Sequence, residues 1–202
     1  MFLRRFRSRR RRLTLRRALV AAAALAASAS LAALPALAPH VEAQPPREAD
    51  VEAAYLFHFT KFLRVPGRPA TDAFTIGVLG RTPLHSSLVR ITEHEQVDGR
   101  PIHILYVTSP EDARRCDILF ISDGEAQRLD HDLDMVGTAD VLTVSDAPDF
   151  LSHGGMVQFV LSGARVRFSV NLEAVRRTHL QLSSELLKVA LSVKGASTEV
   201  RQ

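Results

Sequence analysis

Tryptophan is absent from this 202-residue chain, and cysteine occurs once. A lone Cys116 excludes an internal disulfide and the stapled secreted scaffolds that depend on one, so the fold must rest on an apolar core. Cys116 directly precedes an apolar run and is expected to be buried and inert. The same shortage leaves the histidines without cysteine partners. His85, His94, His103, His131, His153 and His179 are scattered with no zinc-type spacing, so no metal or cofactor is expected. Acid is missing from residues 1–17, which hold nine arginines, and charge of either sign is missing from the Ala/Leu-rich residues 18–38. That pattern is an export signal. Pro35 and Pro39 interrupt it, and Val41-Glu42-Ala43 suits a signal peptidase, so cleavage near Ala43 is expected, with residues 1–43 as the signal and 44–202 as one domain. An uncleaved anchor and, from Arg16-Arg17, a twin-arginine route are the alternatives; either way the domain lies outside the cytoplasm.

Removing residues 1–43 takes away nine of 26 basic and one of 22 acidic residues. The remainder has 17 basic against 21 acidic, a net charge of about −4. The basic pI therefore belongs to the signal, and a nucleic-acid partner is excluded for lack of a cationic surplus.

What is present alternates between strand and helix patterns. A helix is expected from an N-cap at Asp50 to Pro66. A buried strand follows at 74–79 and further strands at 102–107, 117–122 and 141–144, separated by a helix opened by Thr82-Pro83, a short helix after Ser109-Pro110 and a weaker one over 125–135. Residues 156–161 and 165–170 flank Ser162-Gly163 as a hairpin with one wet face. Residues 180–193 read as an amphipathic helix. The fold class is α/β, a mostly parallel central sheet flanked by helices, with a C-terminal antiparallel β-hairpin and a closing amphipathic helix.

Four of the twelve aromatic residues crowd into "AAYLFHFTKFLRVP", residues 53–66. At 100° per residue Val51, Tyr55, Leu56, Phe59, Phe62 and Leu63 share one arc, which makes most of the cluster core. His58 falls near that arc, as a core histidine would. Phe57 projects among Ala53, Thr60, Lys61 and Arg64 on the side expected to face water. Two readings stand: an isolated exposed aromatic, or an anchor rimmed by cations for an acidic partner.

Catalytic arrangements are hard to assemble. Asp130, Asp132 and Asp134 alternate like a calcium loop, but Met135 replaces the turn glycine and the closing glutamate is missing, so an acidic turn is expected. Gly77-x-x-Gly80 lacks the further glycine and lysine of a phosphate loop and reads as a tight turn. Ser122-Asp123-Gly124 and His153-Gly154-Gly155 lack the context of a nucleophile elbow and read as turns. Arg165, Arg167, Arg176, Arg177 and His179 form the one cationic concentration of the exported part. It is read either as a solvated face or as a site for a small anionic or zwitterionic effector.

Four segments, "EAAYLFHFTKFLRVP", "FTIGVLGRTPL", "CDILFIS" and "VLTVSDAPDFLSHGGMVQFVLSGARVRFSVNLEAVRRTHLQLSSELLKVA", occur in an order and spacing that resemble the YfiR family of periplasmic proteins. The resemblance spans nearly all of residues 44–202. It implies a periplasmic regulator that represses an inner-membrane diguanylate cyclase by binding its periplasmic sensor region, lowering cyclic di-GMP and biofilm formation. Two departures are Val65-Pro66 where the family commonly has Trp-Pro, and Cys116 alone where members often carry cysteine pairs. The expectations are a non-enzymatic regulator with Phe57, Lys61 and Arg64 toward the partner, Arg177 and His179 toward an effector, no catalytic residue, and a homodimer as a further arrangement. The alternative is a periplasmic small-ligand receptor without a cyclase partner; a hydrolase ranks third.

Overall fold

The computed structural model describes residues 47–67, 69 and 72–196; the expected export signal, residues 1–43, and its boundary near Ala43 lie outside them. The chain opens with α1 (Glu48–Phe62), then β1 (Leu63–Arg64), β2 (Phe74–Leu79), α2 (Leu84–Thr92), β3 (Gln96–Val97) and β4 (Arg100–Val107). There follow α3 (Pro110–Ala113), β5 (Ile118–Ile121), a 3-10 turn (Asp123–Arg128), α4 (Leu129–Val136) and β6 (Leu142–Ser145). The chain continues through β7 (Val157–Ser162), β8 (Arg165–Asn171), α5 (Leu172–Val175), β9 (Gln181–Leu182), α6 (Ser184–Val189) and β10 (Ser192–Lys194). Eight strands form one sheet in the order β10-β8-β7-β6-β5-β2-β4-β3, while β1 and β9 pair separately. The central neighbours β4, β2, β5, β6 and β7 run parallel, and β7 turns back into an antiparallel hairpin with β8.

Burial on both faces explains the continuous apolar strands. In β5, Ile118 and Phe120 enter the core beneath α1 and α2, while Leu119 and Ile121 enter a second core beneath α3 and α4, so all four are fully buried. Cys116 is buried in the second core. Side chains cap α3 and α5, whereas Asp50, expected to cap α1, lies inside that helix, which begins at Glu48. The Ser109 hydroxyl accepts from the Asp112 N–H at the start of α3, and the Asn171 carboxamide oxygen accepts from the Ala174 N–H at the start of α5. Of the glycine-bearing segments, Gly80 and Gly154 take positive φ in turns, while Asp123-Gly124 opens the 3-10 element. Gly80 has φ of +88°, and a Cβ there would strike the Ser122 hydroxyl; a Cβ on Gly155 would enter the Phe150 ring.

Tertiary contacts alter three expectations. α1 stops at Phe62 instead of continuing to Pro66, because Leu63 and Arg64 pair with Leu182 and Gln181, and the Ser183 N–H donates to the Phe62 carbonyl at 3.0 Å. Residues 180–193 do not form one helix; α6 keeps six residues, with β9 before it and β10 after. Ala53 and Thr60 are buried, since α1 is covered by α2 as well as by the sheet, while His58 is exposed and not part of the core. Asp50 fastens the two helices, accepting from the Ser87 hydroxyl at 2.6 Å and the Arg90 guanidinium at 2.7 Å. The Ser87 hydrogen bond, with help from Arg90, holds its carboxyl below the ordinary range.

An aromatic cluster fixes α1 to the hairpin. Phe59 meets Phe168 edge-on at 5.0 Å and stacks on Phe159 at 6.0 Å, and Tyr55 meets Phe168 edge-on at 5.4 Å. Phe168→Ala should lower unfolding free energy by about 3–5 kcal/mol in urea titrations, whereas Leu161→Ala, at an exposed site, should stay within about 0.5 kcal/mol.

Candidate partner and effector surfaces

The second half of α1 presents its uncovered side. Phe57 is half-buried, and the Lys61 ammonium lies over its ring at 4.5 Å, one helical turn along. The Thr60 hydroxyl folds back to the Phe57 carbonyl at 2.6 Å. Arg64 follows on β1, exposed and opposite Gln181. Phe57, Lys61 and Arg64 thus occupy one end of the helix. Pairing of β1 with β9 brings this end to the segment that carries His179, two residues before Gln181. The local cation–ring contact gives Phe57 a structural partner of its own. It also leaves a half-buried ring under the Lys61 ammonium, with exposed Arg64 following on β1.

Arg177 and His179 diverge. Arg177 lines a cleft of about 340 Å³ together with Asn171, Glu173 and Lys194, and its guanidinium approaches the Gly154 carbonyl at 3.5 Å. His179 is held outside that cleft by Asp140, which accepts from its backbone N–H at 2.8 Å and faces its ring Nδ1 at 3.2 Å. Its side chain is 83% exposed. The cleft therefore combines Arg177 with Lys194, a residue that sequence patterning did not single out. Lys194 ends β10, one residue past the helix expected over 180–193.

The residues weighed as chemistry lie apart. His153 contacts Asp130 at 2.6 Å. Ser122 is buried, with its hydroxyl lacking a hydrogen-bond partner among the described residues. Asp130, Asp132 and Asp134 sit on α4 and not in a loop, and burial raises the Asp132 carboxyl above its usual range. Among the described residues, no group of three or more His, Cys, Asp or Glu is arranged to hold a metal ion. No described helix is long and apolar enough to cross a membrane.

A buried acid had also escaped notice. Glu52, on α1 and 3% exposed, lies within electrostatic reach of Asp123 and Asp146, the residues that follow β5 and β6. Burial, then the charges of Asp146, Glu48 and Asp123, push its carboxyl up to about 8. Burial and Asp123 push Asp146 up to about 6, although it accepts from the Asp123 N–H at 2.7 Å. The readable signal was position: Glu52, Leu56, Phe59 and Leu63 recur at 4, 3 and 4 residues, so a carboxyl sits in the apolar stripe.

The structure is an α/β domain, a sheet flanked by helices, that carries exposed cations at the end of α1 and a small cleft lined by Arg177 and Lys194. The profile of the YfiR/HmsC-like family matches residues 49–191, and the chain belongs to that family. Membership fits a periplasmic regulator. Curated proteins yield no match. Among solved structures, a conserved domain protein from Vibrio cholerae O1 biovar El Tor is similar at 11% identity and a TM-score of 0.49, over 73% of this chain and 60% of that one. An ABC domain in complex with L-Trp from Streptococcus pneumoniae is similar at 12% identity and a TM-score of 0.44, over 59% of this chain and 56% of that one. At these scores neither likeness bears on ligand or mechanism.

Glu52 and Asp146 hold protons more readily when folded than when unfolded. Their stabilising contribution is full below the ordinary carboxylate range and is lost as pH rises through about 6 for Asp146 and about 8 for Glu52. Melting temperature should accordingly fall between about pH 5 and pH 9. Glu52→Gln should flatten that fall, raising the alkaline value by at least about 2–4 °C, the shift expected for ~1 kcal/mol in a domain of this size.

Proposed function

We propose that residues 1–43 export the chain and that residues 44–202 act in the periplasm as a non-enzymatic repressor. The repressor binds the periplasmic sensor region of an inner-membrane diguanylate cyclase and so lowers cyclic di-GMP and biofilm formation. The observation that carries this reading is the Phe57–Lys61 pair near the end of α1, followed by exposed Arg64 on β1, in a chain of the YfiR/HmsC-like family. A ring already partly desolvated loses little entropy on docking, and the two cations favour an acidic counterpart. The cyclase surface is therefore acidic around an apolar pocket. Titration of the purified sensor region should show Phe57→Ala weakening binding by on the order of 1–2 kcal/mol. Arg64→Glu should weaken it further at low salt than at high salt. Unchanged affinity in both variants would remove this surface from the interface.

The cleft at Arg177 supports a second reading, a periplasmic receptor for a small anionic or zwitterionic effector that works without a cyclase partner. Two cations, Arg177 and Lys194, line it against one acid, Glu173. His179, tied to Asp140, is not among the residues that line this cleft. A screen of anionic metabolites by thermal shift should raise the melting temperature of the native protein and leave Arg177→Ala unmoved. A shift preserved in Arg177→Ala would place the effector elsewhere.

A further inference from the structure

Among the described residues five large apolar side chains are exposed, and Leu161, Val189 and Leu191 are three of them. Leu161 and Val189 line a groove of about 820 Å³ between the first turns of α1, the β7–β8 turn and the end of α6. Val51, Tyr55 and Val166 complete its apolar lining, and Arg165, Arg167 and Glu48 supply the charge. This groove lies at the opposite end of α1 from Phe57, Lys61 and Arg64.

The groove meets an unfinished sheet edge. β10 pairs with β8 only at residues 169–171, and the Leu191 N–H donates to the Phe168 carbonyl at 2.7 Å. In an antiparallel pair the backbone groups of alternate residues point away from the partner strand. Phe168 points toward β10, so Val166, two residues back, points the same way. The Val166 carbonyl meets only the Tyr55 hydroxyl, at a long 3.4 Å, and among the described residues no strand continues the ladder beside residues 165–167. Unpaired backbone next to exposed apolar side chains is the arrangement that an added strand completes.

Charge selects the occupant. A second copy pairing through the same edge about Val166 would set Arg165 opposite Arg167 of its twin, twice over, and like charges directly opposed are unfavourable. The residues that precede Arg47 include Pro45 and Pro46, which lack the N–H that edge pairing needs, and nine arginines. Two arginines against one glutamate favour an acidic chain. The geometry points to a docking groove for an extended segment of a partner protein, about three or four residues of strand alternating apolar and polar and flanked by acids, which adds to the free edge of β8. The inference rests on the reading of this domain as a protein-binding regulator and gives it a second contact, away from Phe57.

The test uses the purified exported protein and two fluorescent ten-residue peptides of identical alternating Val/Thr core, one flanked by glutamates and one by lysines. The acidic peptide should bind at least about tenfold more tightly, a difference of ~1.4 kcal/mol. N-methylation at alternate backbone positions should abolish binding in one register and spare it in the other. Val189→Glu and Arg167→Glu, both at solvent-accessible positions with folding checked by melting, should each weaken the acidic peptide about tenfold or more, and Phe57→Ala should not. Absence of binding, equal binding of both peptides, indifference to N-methylation, or a concentration-dependent dimer abolished by Val189→Glu would each overturn the proposal. If a cyclase sensor region binds and responds to Phe57→Ala but not to Val189→Glu, the groove fails and the regulatory reading stands. If the peptide behaves as described while no cyclase binds, the groove stands and the cyclase assignment fails.

Discussion

The packing of one helix against one hairpin governs this molecule. Tyr55 and Phe59 of α1 interlock with Phe159 and Phe168, and Phe120 of the central β5 backs Phe159 at 6.3 Å. Edge-on and stacked rings fix rotation as well as depth, because a turned helix would lose both geometries at once. With the helix so oriented, Phe57, Lys61 and Arg64 have one available direction. Glu52 is committed to the interior, and Val51 and Tyr55 form a wall of the groove at the hairpin turn. Core packing and the proposed contact surfaces are therefore two sides of the same element.

That arrangement has an electrostatic cost. Burying Glu52 on α1, within electrostatic reach of Asp146 and Asp123, places carboxyls together where water is scarce, and the favourable response is to retain protons. Asp50, two residues earlier in the same helix, does the reverse: Ser87 and Arg90 satisfy it and keep it ionised. The same helix thus holds one acid as a charged clamp to α2 and another as a neutral guest of the core.

Much of the architecture was legible because it follows from local pattern. The strand at Ile118–Ile121, the hairpin around Ser162-Gly163, the buried Cys116 and the aromatic arc of Tyr55 and Phe59 each rest on a period of two or near 3.6 within a few residues. What escaped depends on partners distant in sequence. Leu63 leaves the helix because Leu182 is waiting for it, and residues 180–193 break up because Phe168 and β8 claim Leu191 and the strand after it. Thr60 is buried by α2, which the arc of α1 alone cannot reveal. The candidate surfaces divide in the same way. Phe57 with Lys61 was readable from a four-residue spacing, whereas the separation of Arg177 from His179, and the pairing of Arg177 with Lys194, required the fold.

The central claim is that this YfiR/HmsC-like domain acts by gripping an inner-membrane signalling protein from the periplasmic side. Affinity capture from solubilised inner membranes, with residues 44–202 as bait and each retained protein identified, tests it most directly. The account predicts enrichment of a diguanylate cyclase carrying a periplasmic sensor region. Recovery of a transporter or receptor subunit in its place, or of no membrane protein at all, would contradict it.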